Sequence, residues 1–465
     1  MANRRDFLKT SAGAVMAAAT TRPAFGFQGA NNRIRLGVIG MGTRAARVFD
    51  SLTRHEDCQF TVGCEVVQTK LQNFQHPEAN GRAPRPYAAN LPIVGDYRRV
   101  LDRNDVDAVL IATPDFSHAK IMVDALAAGK DVYVEKPVSN SVPRINAMLN
   151  AYQKTNRVVQ VGTHQRSWDH FIEAKKIVDD GTLGKVTQVI IVQPGTYARP
   201  KEAEQPVPAG LDWDLWQLDA PKRPFKPTRL GFRAWYAYGS GLVGDWGAHH
   251  VDVAHWFMNA DSKVPLKTMA NGAFLTVPDA DPEMVPDSFS ISWLYDDFLM
   301  TFANGEVYMS DGIENWGVFF IGNRGSLQVN RQGYAVRPVV PHVIRKQGPP
   351  PPPTAGGATL GAGGTAIASG APGQAGGGRG GGGRGNTQPP IDATLYVNPR
   401  GGVEEDYPLD VHTRNFLDCV KSRSKPNATM EIGYHSALPC LLALESLQKG
   451  QPLGWDDMAR GSKAI

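Results

Sequence analysis

The sequence predicts a two-part α/β chain: an N-terminal Rossmann domain with a doubly wound parallel sheet, then an α+β domain with a large, mostly antiparallel sheet. Three observations carry this. From Ile34 onward, short apolar runs alternate with helical patterns. After about Thr163 that alternation gives way to longer β-leaning stretches separated by Gly, Asn and Asp turns. Between the first apolar run and the first helical one stands the glycine-rich segment Gly40-Met41-Gly42-Thr43-Arg44-Ala45.

The run IRLGVIG is the first strand, and Thr43 to Leu52 its helix. QFTVGCE is the second strand and VDAVLIATP the third, preceded by a helix that includes Tyr97 to Leu101. HAKIMVDALAAGK is a helix stopped by Gly129. DVYVEKP and RVVQVG are the fourth and fifth strands. Repeated strand–helix alternation with short connections implies right-handed crossovers within one sheet, which places the Rossmann domain at 33–160. VTQVIIV, SFSISWLY, FLMTFA, EVYMS and WGVFFIG then build the second domain over 161–345 and 391–465, with a helix around Gly247 to Met258. Residues 348–390 interrupt it. They begin with five prolines (Pro349 to Pro353) and continue Gly-rich through GGGRGGGGRG, so they have almost nothing to bury and read as a disordered surface insertion. An amphipathic helix in DVHTRNFLDCVKSRSKPN and another centred on Leu441 to Leu447 resume the fold.

A length of 465 residues fits two to three domains, and 42% hydrophobic with 20% charged residues fits large buried cores. Arg4, Arg5, Lys9 and Arg22 against Asp6 hold three of the four net positive charges, so the body is near neutral. That gives no electrostatic reason for a nucleic acid or an anionic membrane as partner. No apolar run approaches the ~20 residues that span a bilayer. Cys58, Cys64, Cys419 and Cys440 form no CxxC pair and have no histidine at zinc-ligand spacing, and they read as buried free thiols.

The N-terminus reads as an address. Asn3-Arg4-Arg5-Asp6-Phe7-Leu8-Lys9 follows the twin-arginine export pattern. An Ala-rich stretch from Ser11 to Ala19 and small residues at Ala24 and Gly26 complete a signal over 1–26. The expected location is periplasmic or otherwise extracytoplasmic. Twin-arginine export carries folded proteins, so a cofactor is expected to be loaded beforehand and held tightly.

In GMGTRA, Gly40 permits the tight turn, Gly42 lets the backbone approach a pyrophosphate, and small Ala45 lets helix and strand pack. The helix N-terminus at Thr43 and Arg44 faces the phosphate charge. Glu65, ending the second strand, is placed to accept from ribose hydroxyls and to repel a 2′-phosphate, which favours NAD over NADP. Arg44 argues the other way, since an arginine there can reach extra phosphate. Thr113, Pro114 and His118 lie at the carboxyl end of a strand, where open α/β sheets bind ligands, and Glu135 and Lys136 end the next one. Gln165 and Arg166 follow the fifth strand and are placed to line the cleft. Asp245, His249 and Asp252 are spaced four and three apart, on one face if helical. A metal site from His249, His250 and Asp252 is disfavoured because consecutive histidines diverge around a helix. His250 and His255 read as structural. Trp213 and Trp216 suit either a stacking wall for a sugar ring or simple packing.

Together the GxGxxA turn, Glu135-Lys136-Pro137 and the Asp/His segment resemble the Gfo/Idh/MocA oxidoreductases over about 33–333 and again from about 408. The resemblance implies hydride transfer between a sugar or polyol hydroxyl carbon and nicotinamide, with Lys136, Asp245 and His249 catalytic. It implies cofactor contacts from Gly40, Gly42, Thr43, Arg44, Ala45, Glu65, Thr113, Pro114, His118, Glu135, Lys136 and Gln165. Substrate contacts fall to Lys136, Arg166, Asp245, His249 and Asp252. Alcohol oxidation needs a group to take the hydroxyl proton as hydride leaves. The sequence leaves open whether Lys136 or His249 takes it. It also leaves open a redox-neutral lyase or glycosidase that oxidises its sugar only transiently, and a non-catalytic binding protein. The open face of the second sheet implies a homodimer or homotetramer.

Overall fold

A computed structural model of the chain describes residues 33–305, 316–339, 393–397 and 406–454. The expected export signal, the EVYMS strand and the Pro/Gly-rich insertion lie outside the described residues.

The first domain is a six-stranded, wholly parallel sheet. Its strands are β1 (Ile34–Ile39), β2 (Cys58–Cys64), β3 (Ile93–Val94), β4 (Ala108–Ile111), β5 (Asp131–Val134) and β6 (Val159–Val161), in the order β3-β2-β1-β4-β5-β6. The order reverses between β1 and β4, which opens a crevice at their carboxyl ends. β4 and β5 are buried throughout, as apolar runs covered on both faces should be. Helix α1 (Thr43–Thr53) buries Ala45, Val48, Phe49 and Leu52 along one stripe. Helix α2 spans Asp115–Ala127, and Gly129 takes φ +73° just beyond it. The sequence pattern begins α2 at His118; it starts three residues earlier because Pro114, fixed in an extended conformation, serves as its N-cap. The edge strand β3 was not anticipated, being two half-buried residues with no pattern of their own.

The second sheet has nine described strands in the order β14-β13-β12-β11-β7-β10-β9-β8-β15. These are β7 (Val186–Val192), β8 (Lys267–Ala273), β9 (Ser288–Leu294), β10 (Leu299–Ala303), β11 (Gly317–Gly322), β12 (Gly325–Asn330), β13 (Gly333–Pro338), β14 (Thr394–Val397) and β15 (Leu453–Gly454). Every pairing is antiparallel except β7 with β10. Helix α5 (Gly247–Phe257) and helix α7 (Met430–Lys449) cover one face, and Trp293 Nε1 donates to Pro439 O at 2.9 Å across that interface. The other face leaves Ile190, Met269, Leu294 and Leu299 between 37% and 46% exposed. Helix α3 (Val142–Gln153) joins β5 to β6 and packs on α7, α4 (Asp169–Asp179) leads from β6 to β7 in the second sheet, and α6 (Asp406–Ser422) returns to pack on α1. Ser51 Oγ donates to Asp410 Oδ1 at 2.6 Å, and Gln160 Nε2 donates to His412 O at 2.7 Å. The late chain thus braces the first domain. All four cysteines are buried free thiols.

Candidate active site

A cavity of about 570 Å³ opens at the carboxyl ends of β1, β2, β4 and β5, and the second domain closes it from the other side. One end is built mainly from backbone. Gly40 has φ +85°, and a Cβ there would stand 2.8 Å from Ala112 O, so only glycine fits the turn. Gly42 faces open space, and among the described residues no side chain caps α1. Its first N–H groups therefore look into the cavity with no side-chain acceptor, which suits a pyrophosphate. Ala45 lies behind this cradle in the core rather than in the cavity. Glu65 lines the cavity while its carboxylate accepts from Met41 N at 2.7 Å and from Val66 N and Val67 N at 2.9 Å. It fixes the glycine turn and keeps lone pairs for ribose hydroxyls. The residues present fit a dinucleotide.

Arg44 does not point toward extra phosphate. Its Nε donates to Glu135 Oε1 at 2.8 Å, and its Nη2 donates to His164 Nδ1 at 3.1 Å. Glu135 is buried against Gly162, where a Cβ would approach the carboxylate to 2.7 Å. Thr113 and Pro114 line the cavity. His118 and Gln165 do not. His118 is buried between the Thr113 and Pro137 carbonyls, each 2.9 Å from a ring nitrogen, and so ties two site loops together. Gln165 is buried behind the cavity wall.

A strap from the second domain crosses the dinucleotide end. Gln68 N donates to Gly210 O at 2.9 Å, Asp212 N to Val66 O at 3.4 Å, and Val67 bridges to Leu211. Beyond that bridge Leu215, Trp216 and Leu218 face the cavity. Trp213 stacks on Trp216 at 4.7 Å and donates through Nε1 to Arg223 O at 2.7 Å, so Trp213 packs the strap and Trp216 forms wall.

At the other end Lys136 Nζ donates to Asp245 Oδ1 at 2.9 Å and Asp245 O at 3.0 Å. Tyr197 Oη donates to Asp245 Oδ2 at 2.5 Å, and Arg233 Nε to Oδ1 at 3.2 Å. Burial works to raise the Asp245 pKa, but the Lys136 and Arg233 charges and the Tyr197 hydroxyl outweigh it, so the carboxyl stays well below its usual range. Next to this pair, His249 Nε2 lies 3.1 Å from Arg331 Nη2. Arginine can only donate, so Nε2 is the bare nitrogen and Nδ1 carries the proton; Nδ1 is buried without a partner among the described residues. Burial first, then the charges of Lys136 and Arg331, hold the His249 pKa well below 6.5, and the ring is neutral. The same logic makes His164 bare at Nδ1 beneath Arg44, and its ring lies edge-on to His249 at 5.7 Å.

Of Asp245, His249 and Asp252, only the first two line the cavity. Asp245 ends a separate short helix, Gly241–Asp245, and only His249 and Asp252 belong to α5. A spacing of three leaves His249 and Asp252 only about 60° apart around α5, so it is Arg166, and not the helix turn, that separates them. Asp252 leaves the cavity and accepts from Arg166 Nε at 2.9 Å on both oxygens, while the Arg166 terminal nitrogens reach Asp261 at 2.6 and 2.9 Å. Neither Arg166 nor Asp252 lines the cavity, so their expected substrate contact gives way to a buried ion pair. His250 bonds Gln193 and His255 bonds the Tyr295 hydroxyl, both structurally. Among the described residues, no group of three or more His, Cys, Asp or Glu is arranged to hold a metal ion.

The cavity residues that the sequence does not single out include Asp115, His164, Tyr197, Arg233 and Arg331. Asp115 and His164 sit inside segments that had drawn attention, so position relative to Pro114 and to the end of β6 was an available signal. Tyr197, Arg233 and Arg331 come from loops and a strand end with no local motif.

Residues 34–163 match the family model for the NAD-binding Rossmann fold of the Gfo/Idh/MocA oxidoreductases, and 170–327 match that family's C-terminal α/β domain. The chain belongs to this NAD-binding oxidoreductase family. It is 28% identical over 254 residues to a levoglucosan dehydrogenase of Pseudarthrobacter phenanthrenivorans, covering 52% of this chain and 57% of that protein. It is 35% identical over 96 residues to an inositol 2-dehydrogenase of Rhizobium meliloti, covering 21% of this chain and 29% of the relative. The chain thus matches little more than half of the first relative's length and less of the second's. The fold is shared with the aldose-aldose oxidoreductase from Caulobacter crescentus complexed with glycerol (TM-score 0.56, 17% identity, 91% and 99% of the two chains). It is shared equally with a levoglucosan dehydrogenase in complex with NADH and levoglucosan (TM-score 0.58, 17% identity, the same coverage).

Proposed function

We propose that this chain oxidises or reduces a sugar or polyol at a hydroxyl-bearing carbon, using NAD. The observation that carries the reading is the single cavity that runs from the Gly40–Gly42 cradle to Lys136, Asp245 and His249. Glu65, holding the glycine turn and facing the ribose position, supports NAD over NADP.

A bound nicotinamide supplies the hydride acceptor. The chain's own residues handle the alcohol. Asp245, Tyr197 and the Asp245 carbonyl fix the direction of the Lys136 ammonium, which presents its third hydrogen to the reacting oxygen. His249, kept neutral by burial and by its cationic neighbours, takes the hydroxyl proton at Nε2. Arg331 covers that nitrogen, so the incoming hydroxyl takes over its place.

Tight cofactor retention is supported by the strap, which closes the dinucleotide end with Leu215, Trp216 and Leu218. Export rests on the twin-arginine pattern at Arg4-Arg5, and a homo-oligomer on the exposed apolar face of the second sheet. No described helix is long and apolar enough to cross a membrane.

The test is a cofactor assay on the denatured purified protein, followed by a panel of sugars, polyols and glycosides with and without added NAD. Reduced nicotinamide formed with a sugar or polyol supports the reading. A glycoside cleaved with no net NADH would point to redox-neutral chemistry. No nicotinamide bound or turned over under any condition would overturn it.

A further inference from the structure

We propose that Asp115 determines specificity in this site: its carboxylate accepts a substrate hydroxyl beside the reacting carbon while Arg233 donates to the neighbouring oxygen, so the cavity selects vicinal diols over lone alcohols. The inference rests on the polyol reading above and adds two residues to it.

Asp115 is the first residue of α2 and is only 3% exposed, yet it lines the cavity together with Lys136, Tyr197, Arg233 and Asp245. One of its oxygens accepts from Ser240 Oγ at 3.0 Å. Ser240 is held close against Gly244, where a Cβ would stand 2.1 Å from its hydroxyl. Among the described residues, the other Asp115 oxygen takes no hydrogen bond. That oxygen opens onto the cavity, where a ligand hydroxyl can donate to it. Of the neighbouring protein donors, Tyr197 is committed to Asp245, and Lys136 spends two hydrogens there and keeps its third for the reacting oxygen.

Arg233 is complementary. Its Nε reaches Asp245, its terminal nitrogens have no partner among the described residues, and its side chain is 42% exposed. A free acceptor and a free donor fork that line one cavity and lie near enough to feel each other's charge match two adjacent hydroxyls, one giving and one receiving.

The charges facing Asp115 support the same picture. Burial and the Asp245 carboxylate push its pKa up to about 7, against the pull of Arg233, Lys136 and the Ser240 hydroxyl. The ionised form is the stronger acceptor, so diol binding should tighten as pH rises through that value.

The experiment measures sugar binding to the NADH-loaded protein through bound-NADH fluorescence, a complex in which no hydride or proton transfer is required. The probes are myo-inositol, levoglucosan and 2-propanol at pH 6 and pH 8. The wild type should bind the two diols more tightly at pH 8 and discriminate against 2-propanol. Asp115→Asn keeps the shape and an acceptor for Ser240; it should weaken diol binding about tenfold and flatten the pH dependence, with NADH affinity unchanged. An Asp115→Asn protein that is folded by circular dichroism, binds NADH normally and keeps the wild-type diol affinity and pH slope overturns the proposal. Arg233→Gln, at a half-exposed position, tests the same subsite if the first variant does not fold, and an unchanged diol preference there overturns it equally. Wild-type protein that binds NADH but none of the sugars would sink the polyol reading itself, and this inference with it.

Discussion

Lys136–Asp245 and Arg166–Asp252 are both cation–carboxylate pairs, buried around the start and middle of α5, and both partner sets were read from the sequence as one constellation. The pairs differ in how their hydrogen-bonding capacity is used. The guanidinium of Arg166 is divided between Asp252 and Asp261 and packs 5.4 Å over Trp256, with its side chain 4% exposed and that of Asp252 1%. No direction is left for a ligand. The ammonium of Lys136 has three hydrogens and spends two on Asp245, and the cavity lies on its open side. Asp245 in turn is held by Lys136, Tyr197 and Arg233. A closed pair fixes the fold; a pair with one unused donor facing a cavity is positioned for chemistry.

The strongest way to break that distinction is to remove each cation in turn. Lys136→Met should lower kcat by about 10³-fold, within the range for a positioned proton-handling group, while the melting temperature moves little because Arg233 and Tyr197 still hold Asp245. Steady-state kinetics beside thermal melts check it. Arg166→Met should do the reverse. It leaves Asp252 buried without its partner, which costs about 3–5 kcal/mol of stability, read from urea unfolding, while kcat of the folded fraction stays within tenfold of wild type. If Arg166→Met abolished turnover at full stability, the contrast between the pairs would be wrong.

These pairs also mark what the sequence could carry. The parallel sheet, the GxGxxA turn and the end of β5 were legible because each is local: a period, a glycine that only one backbone conformation explains, a carboxyl-terminal strand end. Lys136, Asp245 and His249 were legible as types, and they do meet in one cavity. Which face Asp252 takes was not legible, since a spacing of three on a helix permits the same side and Arg166 settles the matter from another element. Arg331 lies 82 residues from His249 along the chain, at the turn between β12 and β13, and Arg233 and Tyr197 also arrive through tertiary folding. No window of sequence contains that meeting. Arg44 shows the same limit in a motif that was read correctly, since its side chain crosses to Glu135 and His164 instead of following the phosphate path.

Arg331 sharpens the comparison from the cavity side. Its charge is one of the causes that depress His249, so Arg331→Gln should raise the His249 pKa. The base must be neutral to take the alcohol proton, and a higher pKa means it is protonated up to a higher pH. The acidic limb of the kcat/KM profile should therefore move to higher pH. Arg166→Met, whose charge is neutralised by two carboxylates, should leave that limb in place. An unchanged limb in Arg331→Gln would mean that His249 is not the group titrating there.

The smallest expected effect concerns the backbone-built end, where the strap meets the crevice. Leu211 and Asp212 are tied to Val66 and Val67 by main-chain pairing, and Gly210 approaches Gln68 so closely that a Cβ would stand 2.9 Å from its Cβ. The strap is thus anchored to the first domain by bonds that side-chain changes leave intact. Trp216→Ala removes the wall it presents to the cavity, along with its ring contacts to Trp213 at 4.7 Å, Tyr238 at 5.0 Å and Phe116 at 5.6 Å. Bound NADH should then leave several-fold to about tenfold faster, as expected for the loss of about 1 kcal/mol of aromatic contact, with kcat little changed at saturating cofactor. Stopped-flow displacement of NADH by excess NAD reads the rate directly. An off-rate equal to wild type would show that the strap spans the crevice without holding the cofactor, and retention would then have to come from the glycine cradle and Glu65 alone.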